Sequence, residues 1–288
     1  MQNKYAAVIV TYQPDIERVK LNVSELRKQG FFVIIVDNCS DSITELRKCS
    51  GCDVLIEFHE NKGIAAALNV GMQSAVENGA MWTLSLDQDT MVADNLLNEY
   101  KKFINLKNVG ALCPAINKRG EGIIGTHSKE IEIVEKCPTS GFFLNTKAWN
   151  DVGEYDEWMF IDYVDYDIET RLRKKGYKIY RVNTTHIIQE LGKVSRNSFF
   201  YGIGKMLHLK KLCNFATVYN HSPLRNYYFV RNALYYINKH RDFLNIKEEY
   251  VFLLKWEIKK LILEKRKIAN FKSLINGIRD YKSKKDMC

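Results

Sequence analysis

The chain has 288 residues, enough for a full hydrophobic core, and a composition ordinary for a soluble globular protein. Seven scattered cysteines, an odd number, exclude a disulfide framework, and no apolar run approaches the roughly 18 residues that a spanning helix needs. A formal charge of +9 and a pI near 9.0 favour acidic partners, whether nucleic acid, nucleotide diphosphates or an anionic membrane face.

The first residues open into a strand without a signal peptide, so a reducing cytoplasm is the expected compartment. Tyr5 to Val10 reads as a buried strand. Asp15 to Gln29 carries helical spacing at Ile16, Val19, Val23 and Leu26, with Gly30 where the helix should stop. Phe31 to Val36 is a second strand, Ser42 to Cys49 a weak helix and Val54 to Phe58 a third strand. Ile64 to Glu77 is a helix with Ala, Leu and Val on one face, and Trp82 to Leu86 is strand four. A helix from Ala93 to Leu106 and a strand from Val109 to Cys113 continue the alternation, which predicts a parallel sheet with helices on both faces.

The alternation then breaks. Ile116 to Glu135 is Gly-bearing and β-like, so an antiparallel excursion is expected. The run Gly120 to Gly125 matches the dinucleotide fingerprint G-x-G-x-x-G, but a polar Asn117-Lys118-Arg119 precedes it and no helix follows, so a hairpin turn is the better reading. Cys49 to Cys52 is a C-x-x-C without a second pair, and it opens no helix after a strand. Further on come a strand at Gly141 to Leu144, a helix near Lys147 to Val152, an acidic loop through Asp162, a helix from Asp165 to Lys175 and a strand from Tyr177 to Val182. From Ser222 the pattern is helical: Arg225 to Lys239, Ile246 to Ile268 and Phe271 to Tyr281. The expected domains are residues 1–221, with a nucleotide-binding part at about 1–114 and an acceptor-side part at about 115–221, and a basic helical extension at 222–288.

The early strands all end in polar residues: Thr11-Tyr12, Asp37-Asn38, Asn61-Lys62-Gly63 and Asp87-Gln88-Asp89. In an open α/β sheet such ends line one crevice. Asp37 suits the imide N–H of a pyrimidine base, Tyr12 can pack on that base, and Gly63 at a helix start lets backbone N–H groups approach a phosphate. Asp87 and Asp89 can offer oxygens to one hard cation, Mg²⁺ or Mn²⁺, whose other ligands come from a diphosphate and water. The plain alternative is a set of caps, turns and solvated loop acids, and Asp165-Tyr166-Asp167 repeats the acidic triplet.

The run Val8 to Tyr12, then Val36-Asp37-Asn38, Asn61 to Gly71 and Leu86 to Thr90 resembles the family 2 inverting glycosyltransferases of GT-A fold, and within them the bacterial rhamnosyltransferases. Ser140 to Phe143, Val152 to Glu157, Phe160 to Asp167, His186, Gly192 and His221 to Tyr228 keep the family order. The resemblance implies a Rossmann-like, mostly parallel sheet flanked by helices, here with a helical C-terminal extension. It implies nucleotide-sugar contacts at Thr11, Tyr12, Asp37, Asn38, Asn61, Gly63, Asn69, Asp87 and Gln88. It also implies a metal at Asp89 and Asp87, with His186 as a further contact, and Asp165 as catalytic base. Many relatives carry Glu before that Asp; Val164 stands there instead, so no role of the Glu transfers. Asp162 and Asp167 are rival acids.

The function expected is transfer of L-rhamnose from a dTDP donor, with inversion, to a lipid-linked surface glycan of O-antigen or capsule type; a UDP-sugar or another deoxysugar donor is the alternative. A nucleic-acid module, suggested by Arg225 to Arg231, matches no recognition motif, and no nucleic-acid partner is expected. From Lys255 to Cys288 there are eleven Lys and Arg against four Asp and Glu, so most of the positive excess lies in the tail. Tyr250, Leu254, Ile258 and Leu261 share one helical face there, which suits either the inner leaflet of the plasma membrane or packing on the catalytic domain.

Overall fold

The computed structural model describes residues 4–49, 51–118, 122–123, 129–189, 195–218 and 222–285. The chain forms two compact units, Met1–Phe160 with Val164–Glu190, and Ile161–Tyr163 with Leu191–Cys288.

In the first unit the chain runs β1 (Tyr5–Thr11), α1 (Ile16–Gln29), β2 (Phe32–Asp37), α2 (Ile43–Cys49), β3 (Val54–Glu57), α3 (Gly63–Glu77), β4 (Trp82–Asp87) and β5 (Thr90–Val92). It continues through α4 (Leu96–Lys101), β6 (Val109–Lys118), β7 (Gly122–Ile123), β8 (Ile131–Val134), β9 (Phe142–Asn145), α5 (Thr146–Val152), a 3₁₀ turn at Glu157–Met159, α6 (Val164–Lys174) and β10 (Lys178–Gln189). The sheet order is β3-β2-β1-β4-β9-β6-β10-β5, with β7 on β6 and β8 on β10. The strands β3, β2, β1 and β4 are parallel, and β9 runs antiparallel between β4 and β6.

Apolar alternation explains α1: Asp15 caps it by accepting from Arg18 N–H, and Gly30 ends it in the left-handed region at φ +98°. The sheet packs closely on α3, since a Cβ at Gly71 would lie 2.4 Å from Val8 Cγ1. On its other side Phe143 gathers Trp82, Tyr100, Tyr5 and Phe31 at ring separations of 5.1–6.1 Å.

Three expected elements come out differently. The helix expected at Ala93 to Leu106 shortens to α4, and at its start the Ala93 N–H is spent on His186 O. The strand expected to end at Val182 runs on to Gln189 through a bulge between Val182 and His186, which lets β10 pair with β8 before it and β5 after it. The helix expected over Ile246 to Ile268 breaks at Glu264, whose backbone is extended (φ −82°, ψ 150°). Of the Gly120 to Gly125 run, Gly122 and Ile123 form β7, antiparallel on β6; the rest, together with Ser50, Gly192 and His221, lies outside the described residues.

The second unit holds β11 (Ser195–Arg196), α7 (Ser198–Met206), α8 (Lys210–Phe215), β12 (Thr217–Val218), α9 (Pro223–Lys239), α10 (Ile246–Leu263) and α11 (Lys267–Lys285). Ser222 caps α9 and Pro223 opens it, as the sequence requires of a helix start.

In the first unit α6 buries a carboxyl. Glu169 accepts from the Cys137 N–H at 2.8 Å and Sγ at 3.0 Å, while its Oε2 has no hydrogen-bond partner. Burial, reinforced by the Asp165 charge, holds this carboxyl well above the usual glutamate value of 4.5, which favours its protonated form. The unfolded chain ionises it around 4.5 and the folded chain only at higher pH, so its contribution to stability is complete below that value and is lost as pH rises towards the folded pKa. Glu169→Gln keeps an acceptor for Cys137 and removes the titration. Thermal unfolding of the variant should match the wild type near pH 4 and exceed it increasingly towards about pH 8; a difference that stays constant with pH would show that Glu169 ionises in the fold.

Candidate active site

The sheet register aligns the strand ends. Thr11 stands beside Asp37, and Val10 beside both Val36 and Asp87, so the ends of β1, β2 and β4 form one crest. Asp37 is only 1% exposed, and its carboxylate holds that crest together. Its Oδ1 accepts from Thr11 Oγ1 (2.8 Å) and Ser40 Oγ (2.6 Å), and its Oδ2 from the Ser40 N–H (2.7 Å). A carboxylate offers about four acceptor sites, so one direction remains on Oδ2. Asn38 donates its N–H to Thr11 O (2.7 Å) and accepts from the Lys62 N–H (2.8 Å), which ties the loop after β3 to the same crest. Tyr12 projects from it, 49% exposed.

Gln88, between the two acids, has a definite job. Its Oε1 accepts the Tyr12 N–H (2.7 Å) and its Nε2 donates to Tyr12 O (3.0 Å), so one side-chain amide closes on the Tyr12 backbone in both directions. A carboxylate at 88 has no hydrogen to give that carbonyl. The Asp87 N–H donates to Ser140 Oγ (3.1 Å), and Ser140 Oγ donates to Thr90 Oγ1 (2.8 Å). The triplet is thereby fixed at both sides, with Asp87 half-buried and Asp89 exposed. Sequence reasoning missed Ser40 and Ser140 as the residues that hold the acids. A Ser three residues after Asp37 is a turn signal that had been there to read.

Two carboxylates on one fixed turn suit a divalent cation that takes its remaining ligands from a diphosphate and water. His186 does not join them. Thr90 pairs with Gln189, Val92 with Ile187, and the Ala93 N–H donates to His186 O, so His186 lies at the far end of β5 from Asp89. Four residues of strand separate Asp89 from Ala93, roughly 13 Å. Among the described residues no group of three His, Cys, Asp or Glu gathers as a metal site. Gln189 is the residue opposite Thr90.

Two other expected ligand contacts are engaged inside the protein. Gly63 (φ +85°) is required by Phe160, because a Cβ there would lie 2.6 Å from that ring and from its carbonyl oxygen. The first N–H groups of α3 are used in the same way: Gly63 donates to Asn61 Oδ1 (3.0 Å) and Ile64 to Phe160 O (2.7 Å). Asn69 donates both amide hydrogens, to Tyr155 O (2.9 Å) and Glu157 Oε1 (3.0 Å), and accepts the Tyr155 N–H (2.8 Å). It holds the 155–157 turn against α3, and no hydrogen is left for a sugar.

Asp165 lies in the first turn of α6, one residue inside the helix start, with Oδ1 accepting the Tyr166 N–H at 2.9 Å. It is half-buried. The rival acids are bound to arginines. Asp167, fully buried, takes Arg171 at 2.8 Å, and Arg171 also donates to the carbonyls of Val152, Gly153 and Glu154. In the second unit Asp162 takes the Arg225 fork at 2.9–3.2 Å. Phe160, Asp162 and Tyr163 all have positive φ, from 59° to 65°. For residues with a Cβ that conformation costs on the order of 1–3 kcal/mol each.

The profile of the family described as Glycosyl transferase family 2 matches residues 6–168, from β1 into α6. A curated relative, the dTDP-rhamnosyl transferase RfbF of Shigella flexneri, is 29% identical over 97% of this chain and 97% of its own. Two crystal structures share the fold at low identity. One is GalNAc-T7 with UDP, GalNAc and Mn²⁺ (TM-score 0.55, 14% identical, 65% of this chain and 43% of that one). The other is TarS of S. aureus (TM-score 0.54, 15% identical, 96% of this chain and 48% of that one). The chain thus spans less than half of either solved protein. With a GT-A sheet, an aligned crest of strand ends and a family match over more than half its length, the chain belongs to glycosyl transferase family 2.

Proposed function

We propose that this enzyme transfers L-rhamnose from a dTDP donor, with inversion, to a hydroxyl of a lipid-linked surface glycan of O-antigen or capsule type at the cytoplasmic face of the plasma membrane. The observation that carries the donor side is the crest itself, where the buried Asp37 keeps one acceptor direction and Gln88 locks Tyr12 to the acidic turn. Asp37 accepts the imide N–H of the base, Tyr12 packs on its face, and Asn38 and Asn61 border the ribose side. Likeness to a dTDP-rhamnosyl transferase at 29% identity supports thymine and rhamnose; a UDP-sugar is the second reading, favoured by the UDP in the GalNAc-T7 structure.

Asp89 would hold Mg²⁺ or Mn²⁺, with Asp87 directed to the ribose. The cation, when bound, neutralises charge on the departing diphosphate. Asp165 takes the proton from the acceptor hydroxyl as its oxygen bonds to the anomeric carbon and the bond to the diphosphate oxygen breaks. A single displacement of this kind needs one carboxylate on the acceptor side. The N-terminus of α6 favours its ionised form.

The acceptor side rests on α10. Tyr250, Leu254 and Ile258 are exposed on one stripe, together with Val251, Phe252 and Ile262. Lys247 and Lys255 flank Val251 and Phe252 around one depression. Such a face suits an anionic leaflet, where each basic residue contributes about 1 kcal/mol. No helix among the described residues is long and apolar enough to cross a membrane.

Donor turnover over a panel of nucleotide sugars, with and without chelator, tests the donor side. dTDP-rhamnose should be preferred and excess chelator should abolish turnover; full activity in chelator removes the metal assignment. Asp165→Asn should retain nucleotide affinity and lose about 10²- to 10⁴-fold in transfer, whereas transfer near the wild-type rate would move the base elsewhere. For the membrane face, co-sedimentation with anionic vesicles should fall sharply in Leu254→Glu/Ile258→Glu and be weak with neutral vesicles; unaltered binding by the double variant removes this role from α10.

A further inference from the structure

Ile161–Tyr163 belongs to the second unit, although the chain on either side of it belongs to the first. The three residues run directly into α6, and Asp162 precedes Asp165 by three positions. Two of them, Asp162 and Tyr163, hold positive φ without being glycine, a conformation that persists only where the surroundings enforce it.

The enforcement comes from one stripe of α9. Arg225, Phe229, Asn232 and Tyr236 are spaced four, three and four residues apart, which puts them on a single helical face. Arg225 forks onto the Asp162 carboxylate, with Nη2 at 2.9 Å from Oδ1 and Nε at 3.2 Å from both oxygens. The fully buried Asn232 donates to Ile161 O (2.7 Å) and Asp162 O (3.0 Å), and its own Oδ1 accepts from Arg231 Nε (3.0 Å), which fixes the amide orientation. The Tyr163 ring meets Phe229 and Tyr236, both at 5.4 Å. A whole helical face thus serves three residues of chain. Packing alone requires no guanidinium fork on a side chain and no amide on two consecutive carbonyls; fixing a backbone does.

We propose that Arg225 and Asn232 are positioning residues for glycosyl transfer: by clamping Ile161–Tyr163 in its left-handed conformation they set the entry of α6 and hence the placement of Asp165. The proposal rests on Asp165 as the base. It also gives a use to Arg225, while the neighbouring Asn226 and Tyr227 bond to Glu257, Lys260 and Asp280 in the helices that follow.

The test uses the full chain. Arg225 is partly exposed, so Arg225→Ala should fold, and a thermal melt checks that it does. Its kcat for transfer should fall about 10- to 100-fold, the loss expected from misplacing a reacting group by about 1 Å. Donor KM and nucleoside diphosphate affinity should stay within about twofold, as for an interaction made only in the transition state. Arg225→Lys should recover part of the rate, Asp162→Ala should cost about as much as Arg225→Ala, and the two together should cost little more than either. Amide exchange in 160–168 should accelerate in Arg225→Ala while that of β1 and β2 does not. Wild-type kcat in Arg225→Ala, alongside an inactive Asp165→Asn, overturns the clamp and leaves the base in place. Equal losses in donor affinity and kcat overturn it too, as the mark of general damage. Transfer retained by Asp165→Asn removes the base, and the clamp with it.

Discussion

A carboxylate taken out of water must be hydrogen-bonded by its own protein, and the architecture of the crest follows from satisfying Asp37. Thr11 and Ser40 supply the bonds, and in doing so they bind the loop after β1 to the loop after β2. Gln13 donates its N–H to the same Ser40, Asn38 reaches the Lys62 N–H, and Gln88 closes on Tyr12. Four loops from four strands thus form one polar lattice. Removing one partner of a buried charge typically costs about 3–5 kcal/mol, so the lattice is shaped before any ligand arrives. Preorganisation of that kind lowers the ordering cost of binding.

The donor end is acidic while the chain is basic. Asp37, Asp87 and Asp89 stand at the crest, whereas most of the positive excess lies beyond residue 255. A nucleoside diphosphate entering three carboxylates meets repulsion that only a cation can offset, and two carboxylates alone give that cation too few ligands. In the proposed site, metal and nucleotide would complete each other's ligand sets.

Much of this was legible in the sequence. The β-α alternation from Tyr5 to Cys113 placed the parallel strands, because each is an apolar run bounded by turn residues. The polar strand ends marked the crest. What could not be read was which polar residues face inward. Asn69 sits in a motif run with Asn61 and Gly63, yet its amide is consumed by Tyr155 and Glu157, residues 86 and 88 positions away. His186 was expected as a metal contact from the resemblance, and its place could not be read locally: the bulge after Val182 extends β10 and sets His186 at the end of β5 away from Asp89. Contacts between residues distant in sequence carry no local signal. The Glu264 break was hidden for a related reason, since its carboxylate is held by Asn270 Nδ2 (2.7 Å) in the helix that follows.

The helix α10 is built inside out. Its inward face carries Leu253, Glu257, Lys260 and Leu263, with Glu257 and Lys260 paired at 3.2 Å and Lys260 also on Asn226. Burial pushes the Glu257 carboxyl up and the Lys260 ammonium down, while the attraction between the two opposes both shifts. Its outward face, by contrast, is Tyr250, Leu254, Ile258 and Ile262. Amphipathic scoring would assign these faces in reverse. The oily side of this helix is sealed by no other described part of the chain. In dilute buffer that surface favours self-association, so the colloidal behaviour of the purified enzyme should track detergent and lipid more closely than it tracks the stability of the catalytic sheet.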